Sequence, residues 1–459
     1  MATLTFFGAA RQVTGSCYLL DDGKYRVLLE CGLFQGPPDV ERLNERPFPF
    51  DPKTIHAVVL SHAHLDHSGL LPRLVRDGFR GPIYATPPTG DLLEIMLKDA
   101  AFLQERDAEW ENQRRRRQGR EAAEPLYTIA DVERALAQCR CLPYGERFEV
   151  AGGFSARFRD AGHILGSAIV EIGIGSRRLV FSGDLGNSAT PIMPEPERVE
   201  AADVLLLEST YGDRDHRPID ATLREFEEIL EGAAADGGNV VIPAFAVGRT
   251  QELLYYLGEL HEAGRLKQQR IFLDSPMAIA ATEVHQRYES LLNGRIPGTW
   301  SHGGRHKVLP PLQYTRSPEE SMAINRIAGG AIIIAGSGMC TGGRIRHHLK
   351  HNLWRREARI VIVGFQAQGT PGRELVDGAK RLHLLGEDLA VNASIHTLGG
   401  FSAHAGQSQL LAWADGFARR PRLYLVHGEP DKMTVLRAKL EERLRWTAEI
   451  PQANQTIEV

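Results

Sequence analysis

The stretch VVLSHAHLDHSGLL, from Val58 to Leu71, places His62, His64, Asp66 and His67 within six positions, directly after an apolar run. In an extended segment leaving a strand, alternate side chains point the same way, so His62 and His64 can reach one metal ion. Asp66 and His67 come where the chain turns into SGLLPRLVRDG, which reads as helical, and that bend directs them toward a second ion. Imidazole suits zinc and other first-row metals, and a carboxylate can bridge two ions. A lone histidine here would read as a polar residue beside a helix start. The pattern H-x-H-x-D-H does not, because four unpaired polar groups are a poor way to leave a buried strand.

The elements that must hold these residues are legible around them. ATLTFFG, SCYLLDD, YRVLLECG and IHAVVLSH read as strands, as do FSARFRDAG, SAIVEIGIG, RRLVFSGD and VLLLEST later on. Many strands with few long helices predict stacked sheets with helices packed outside. Two helical stretches interrupt them: TGDLLEIMLKDAAFLQERDAEWENQRRRRQG, whose end becomes a charged tail, and TIADVERALAQC. The run Arg114 to Arg117 reads first as a solvated helix end, with an RNA-facing edge as the sharper alternative. From about residue 215 the rhythm becomes strand, glycine turn, helix, as in VVIPAFAVGRTQELL, AIIIAGSGMCTGG and RIVIVGFQAQGT, which predicts a mostly parallel α/β sheet. After about residue 398 histidine-bearing turns return in GGFSAHAG and RLYLVHGEPDK. The reading is one domain over residues 1–210 and 399–459, interrupted by an α/β domain over 211–398.

Composition narrows the classes. The chain has 459 residues and a net charge of −4, so a polyanionic partner must be met by a local patch, not by bulk charge. Its five cysteines, Cys17, Cys31, Cys139, Cys141 and Cys340, include no C-x-x-C pair, so neither a zinc ribbon nor a disulfide framework is expected. The opening MATLTFFGAARQVTGS is too short and polar for a signal peptide. No run approaches the ~18 apolar residues of a membrane span. A cytoplasmic protein is expected.

SHAHLDH resembles the defining motif of the metallo-β-lactamase fold, and the other motifs follow in order. DAGHILGSA offers His163 and LVFSGDLG offers Asp184. LLECG carries Glu30 where an early aspartate is usual in that family, so Glu30 is expected to orient a ligand instead of binding metal. The interruption is similar to that of the β-CASP nucleases, which include the cleavage subunit of mRNA 3′-end processing. Their further motifs are matched by LLLESTYGDR with Glu208, GFSAHAG with His404 and LVHGEPDK with His427. One departure stands out: the family commonly reads S-A-H-A-D, and this chain has Gly406 in place of the aspartate.

The resemblance implies an αββα sandwich interrupted by a β-CASP domain, and two zinc ions, with manganese as the alternative. His62, His64 and His163 go to the first ion, and Asp66, His67 and His427 to the second, with Asp184 between them. A two-metal site of this kind can hold a hydroxide at neutral pH and clamp phosphate oxygens. His404 is the expected general acid, held by Glu208. His396 competes by proximity but lies outside the motif. His347, His348 and His351 read as a partly exposed helix without an acidic partner, not as a metal site.

In the interrupting domain, glycine turns at strand ends can aim backbone N–H groups at a phosphate. AGSGMCTGG brings Ser337 and Gly338; GFQAQGTPGREL brings Thr370 as a helix cap with Pro371, Gly372 and Arg373 behind it; PAFAVGRTQELL brings Arg249. Together they suggest a clamp on the substrate backbone with weak sequence preference. The leading expectation is a zinc-dependent endoribonuclease acting on single-stranded RNA, with a homodimer possible. The alternatives are a DNA or dual-substrate nuclease, which Gly406 keeps open, an inactive RNA-binding subunit, and a small-molecule hydrolase such as a thioesterase.

Overall fold

The computed structural model describes residues 2–293, 312–364 and 366–459. By its contacts the chain divides into two units. One comprises Met1–Ser188, Glu195–Asp215 and His404–Val459; the other comprises Ala189–Pro194 and His216–Ala403. The sequence reading put these divisions at 211 and 398.

The first unit is built on two seven-stranded sheets. One runs, in spatial order, Thr456–Glu458, Thr3–Phe6, Tyr18–Asp21, Arg26–Leu29, Ala57–Val59, Ile83–Ala85 and Cys139–Cys141. The other runs Ala448–Glu449, Arg422–Val426, Val204–Glu208, Arg177–Phe181, Ala168–Ile174, Phe154–Asp160 and Arg147–Ala151. Alternation along each strand decides what lies between them. Phe6, Tyr18, Leu20 and Val59 of one sheet share a buried cluster with Phe158, Phe181, Val204 and Leu206 of the other. The intervening residues Leu205 and Leu207 face outward, where Leu410, Leu411 and Leu436 of the helices Gln407–Ala414 and Pro430–Leu444 cover them. Continuous apolar runs such as VLLL are what a strand buried on both faces requires.

The second unit has a six-stranded sheet in the order Leu312–Tyr314, Arg270–Leu273, Ala331–Ala335, Val240–Pro243, Arg359–Ile362 and Ser394–Thr397. Every pairing in it is parallel. Both faces are buried: Val240, Ile242, Ile332 and Ile334 on one side, Val241, Ile333, Ile360 and Ile362 on the other. Among the described residues, no helix is long and apolar enough to cross a membrane.

One expectation fails here. His348 is fully buried and does have an acidic partner: its Nε2 lies 2.6 Å from Asp274 Oδ2. Asp274 sits immediately after the strand Arg270–Leu273 and also accepts from Thr315 Oγ1 (2.6 Å), Ser321 Oγ (2.6 Å) and Arg344 Nη1 (2.7 Å). The partner lies 74 positions away in sequence, which is why local spacing could not reveal it. His347 is exposed and His351 half-buried.

Burial opposes the charge on Asp274, but the bonds from His348, Ser321 and Thr315 prevail and hold its pKa at about 2, against 3.8 for a free aspartate. The folded-state value is depressed, so the stabilisation is full above about pH 4 and is lost as pH falls through 2. Asp274→Asn is expected to cost about 3–5 kcal/mol, since it leaves the cation of Arg344 without its buried counter-charge. Urea unfolding at neutral pH would measure it.

Candidate metal centre

The chemistry-bearing residues of the first unit stand at the ends of its strands. His62 and His64 follow the strand Ala57–Val59, and Asp66 and His67 lie on the one-turn helix Leu65–Ser68. His163 follows Phe154–Asp160, Asp184 follows Arg177–Phe181, and His427 follows Arg422–Val426. Glu208 is the last residue of Val204–Glu208 and lies on the face of Val204 and Leu206, toward the sandwich interior.

All of these but Glu208, seven residues, converge as two groups about one carboxylate. His64 Nδ1 lies 3.1 Å from His62 Nε2 and 3.3 Å from His163 Nε2. Asp184 Oδ2 faces this group, 3.5 Å from His62 Nε2 and 3.6 Å from His163 Nε2. On the other side, His67 Nε2 lies 3.2 Å from His427 Nε2, which is 3.4 Å from Asp66 Oδ2. Asp184 Oδ1 faces this second group, 3.4 Å from His67 Nε2 and 3.4 Å from His427 Nδ1. Donor atoms at the corners of a tetrahedron about 2.0–2.1 Å from a zinc ion would be separated by about 3.3–3.4 Å. The first group is close to that spacing; in the second, Asp66 Oδ2 stands wider, 4.0 Å from His67 Nε2, and the His427 nitrogen nearest Asp184 is Nδ1, not the Nε2 turned to His67 and Asp66. Asp184 Oδ1 is also buried without a hydrogen-bond partner among the described residues, which is costly unless a cation meets it.

Electrostatics agrees with metal ligation in the first group, whereas in the second, against burial, Asp184 and Asp66 raise the pKa of His67 well above the usual imidazole range. Burial, reinforced by the charge of His67, pushes the pKa of His62 well down. Burial takes that of His64 to about 4. Both imidazoles therefore present lone pairs at neutral pH. Burial works against the charge of Asp184, yet His427, His67 and His62 hold its carboxyl well below the usual range.

A supporting set fixes these donors. Glu30 is fully buried, accepts from Ser61 N (2.6 Å) and Ser61 Oγ (2.9 Å), and meets His67 Nδ1 at 2.5 Å, which turns His67 Nε2 toward the centre. Ser61 Oγ lies 2.9 Å from His62 Nδ1, and Thr210 Oγ1 lies 3.0 Å from His427 Nδ1. Sequence reading missed Ser61 and Thr210. Ser61 adjoins His62, so a hydroxyl next to a candidate ligand was the available signal there; Thr210 lies 217 positions from His427, which spacing could not reveal.

His404 is brought to the same place. Its Nδ1 lies 3.5 Å from Glu208 Oε1 and 3.9 Å from Asp184 Oδ2, and its ring centroid is 4.4 Å from that of His163. Burial favours the neutral ring, but the Glu208 carboxylate outweighs it and raises the pKa to about 9. Glu208 is fixed in turn by Leu185 N at 2.6 Å.

The departure at Gly406 has a local compensation. Gly406 is the N-cap of the helix Gln407–Ala414, a position where aspartate would accept from the first-turn N–H groups. Asp215 does this instead: its Oδ1 accepts from Ser408 N (2.8 Å) and its Oδ2 from Ser408 Oγ (2.6 Å). A Cβ at position 406 would lie 2.9 Å from Asp215 Oδ1. The missing carboxylate is thus supplied from another segment.

The expected substrate contacts of the second unit divide. The turns carrying Ser337 and Gly338 and carrying Thr370 and Gly372 pack together, with Gly372 N donating to Met339 O (3.2 Å) and Gln366 Nε2 to Gly338 O (2.9 Å). Thr370 caps the helix Pro371–Val376 by accepting from Arg373 N (3.3 Å), and Arg373 pairs with Asp377. Arg249 was expected among the contacts to the substrate backbone. It is buried, ion-paired with Glu252 one helical turn on, and packed over the Phe401 ring. His396 lies in the edge strand Ser394–Thr397 of the second unit.

Comparison with known proteins adds three matches: a Beta-lactamase superfamily domain over residues 25–243, a Beta-Casp domain over 250–375, and a Zn-dependent metallo-hydrolase RNA specificity domain over 388–451. The chain is 45% identical to Ribonuclease TTHA0252 of Thermus thermophilus, over 94% of each chain. It is 31% identical to the Transcription termination factor FttA of Thermococcus kodakarensis, over 98% of this chain and 70% of that one. It is 30% identical to an RNase J-like protein of Methanocaldococcus jannaschii, over 94% and 93%. A crystal structure of a protein of unknown function from Enterococcus faecalis V583 covers the whole of both chains with a TM-score of 0.60 at 13% identity, a likeness of fold alone. None of these supports the expected homodimer.

The Asp215 compensation is open to test by melting curves. Asp215→Ala is expected to cost about 0.5–2 kcal/mol, the loss of a helix cap. Gly406→Asp alone is expected to lower stability, because it sets a second carboxylate against Asp215. Gly406→Asp with Asp215→Ser is expected to recover it.

Proposed function

The chain belongs to the β-CASP family of metallo-β-lactamase-fold proteins, and on that premise we propose that it is a ribonuclease dependent on two divalent metal ions, cutting single-stranded RNA internally. The observation that carries this reading is the Asp184 carboxylate, with one oxygen turned to His62 and His163 and the other to His67 and His427. His62, His64 and His163 would hold one ion, and Asp66, His67 and His427 the other, with Asp184 shared. Zinc fits these nitrogen-rich sets best. Such a pair of ions supplies Lewis acidity to the scissile phosphate and makes water nucleophilic at neutral pH.

The chain's own groups account for the remaining proton. When water attacks phosphorus and the bond to the 3′-oxygen breaks, that oxygen must be protonated. His404 is the donor: Glu208 holds the ring through Nδ1 and stabilises its charged form, leaving Nε2 to deliver the proton. The products are a 5′-phosphate and a 3′-hydroxyl. Glu30 and Thr210 act through other residues, by orienting His67 and His427. In the second unit, the turns at Ser337–Gly338 and Thr370–Arg373 are the proposed holds on the RNA backbone. Arg249 is not among them, since it is buried together with its partner Glu252.

The family's names include a ribonuclease and a transcription termination factor. The site favours the hydrolytic reading here, because all seven donors are present and gathered, which a binding-only subunit has no reason to retain.

Labelled RNA and a matched DNA would be incubated with the purified protein, with and without a chelator. The expected result is cutting of RNA that the chelator abolishes and added zinc or manganese restores. His404→Ala is expected to lower kcat by about 10²–10⁴-fold with the metal content kept. Elemental analysis should find two ions per chain in the wild type and fewer in Asp184→Asn. Full cutting by the chelated protein, or unchanged kcat in His404→Ala, would overturn the mechanism.

A further inference from the structure

The helix Pro87–Arg117 is tied into the first unit only along its first half. Its N-cap Thr86 and the following Thr89 both donate to the Gly166 carbonyl (2.6 and 2.8 Å), on the loop that carries His163. Leu92, Leu93, Leu97, Ala100 and Ala101 are buried, and no residue of the helix beyond Ala101 is. The second half is braced along one side. Asn112 exchanges two hydrogen bonds with the backbone of Ala123 (2.9 and 2.6 Å), and Glu105 accepts from Ile129 N (3.2 Å).

The opposite side is open, and its composition is unusual. Trp110 is 72% exposed, Phe102 51% and Leu103 44%. At about 100° per residue, Phe102, Leu103, Arg106, Trp110, Arg114 and Arg117 fall within an arc of about 120°. The acidic residues of this stretch, Glu105, Asp107, Glu109 and Glu111, fall outside it. Arg106 lies over the Phe102 ring at 5.8 Å. Arg114 approaches Glu111 only at 4.0 Å with 74% of its side chain exposed, and Arg117 has no ion-pair or hydrogen-bond partner among the described residues. A simple solvated face would mix charges of both signs and would not display a tryptophan.

We propose that this stripe is a second binding site for single-stranded RNA, engaging the strand away from the bond being cut. The ring faces of Trp110 and Phe102 stack bases, and Arg106, Arg114 and Arg117 meet phosphates, the combination that holds single strands without reading sequence. Charge decides the occupant. A second copy docking the same stripe would set arginine against arginine, whereas a polyanion complements it. The proposal rests on RNA being the substrate. It also has a length condition. Thirteen residues of helix separate Thr89 from Phe102, about 20 Å of rise, so only an RNA reaching on the order of six stacked nucleotides past the metal-bearing loop can touch it.

Three variants of the metal-loaded enzyme test it: Phe102→Ala with Trp110→Ala, Arg106→Gln with Arg117→Gln, and Trp110→Phe. All are at exposed positions, and circular dichroism would verify their folding. On a single strand of about 30 nucleotides, the first two are expected to raise KM at least ~10-fold with kcat unchanged, and the arginine pair to flatten the salt dependence of binding by a slope of about 1.4. Trp110→Phe should behave nearly as wild type. Hydrolysis of bis(p-nitrophenyl) phosphate, too small to span the gap, should be the same in all. Affinities measured by anisotropy in the His404→Ala background separate the two readings. If wild-type RNA cutting is absent but the stripe variants still lose RNA affinity, the stripe stands and the catalytic reading falls. Unchanged KM, affinity and salt slope in both multiple variants would overturn the stripe. So would a change in sedimentation with RNA binding intact, which would make it a contact between copies, or a loss confined to anionic vesicle binding.

Discussion

A buried carboxylate, one of whose oxygens has no hydrogen-bond donor among the described residues, is the constraint on which the first unit turns. Asp184 is 2% exposed and lies between five imidazoles at the edge of a sandwich whose interior is largely apolar. In water such a group would be solvated; here its charge must be met by what surrounds it. Four strands end beside that point: Ala57–Val59 leads to four of the donors, and Phe154–Asp160, Arg177–Phe181 and Arg422–Val426 to one each. The apolar alternation that holds the two sheets together stops within a few residues of these side chains, at Val59 before His62, Phe158 before His163, Phe181 before Asp184 and Val426 before His427. Packing and function therefore divide each strand lengthwise, with the sandwich filled by its middle and the centre built from its end.

Two of the delivering turns adopt backbone that side chains other than glycine avoid. Glu30 has φ 64° and His427 has φ 51°. A left-handed residue carries a local energetic penalty, and such conformations persist only where surrounding bonds over-determine them. Glu30 has three partners within 2.9 Å, and His427 is held by Thr210 through its ring and by Ala9 O through its N–H (2.8 Å). Close backbone approach completes the frame. A Cβ at Gly186 would lie 1.9 Å from Gly162 O, so the loops after Phe154–Asp160 and Arg177–Phe181, which have one strand between them, touch only because no side chain intrudes. The centre is thus rigid by hydrogen bonding and by contact, before any ion is considered.

What the sequence disclosed and what it withheld follow from the range of the interactions. H-x-H-x-D-H is short enough for local geometry to imply shared ligation, and the all-parallel sheet of the second unit announced itself through runs such as AIIIA followed by glycine turns. The family resemblance supplied His163, Asp184, His404 and His427, which no local argument would have joined to His62. Contacts between distant segments left no trace. Asp215 standing in for a residue at 406, and Asp274 meeting His348, depend on side chains brought together only by folding. Arg249 was misjudged for a different reason. An arginine at a helix start looks available to an anion until a glutamate three residues on turns inward with it, and burial of both is decided by the packing around Phe401.

The order in which the chain is made bears on the pairing of Val204–Glu208 with Arg422–Val426. These strands are adjacent in the sheet and joined by every residue from Val204 to Val426, yet the intervening second unit lies between them in sequence. During synthesis the earlier strand waits with one edge bare, and its neighbour on that side emerges only after the second unit is complete. His427 arrives with it. A nascent polypeptide still lacking that histidine has one donor group assembled and the other incomplete, so the nuclease proposed here is latent on the ribosome, beside the very message that encodes it.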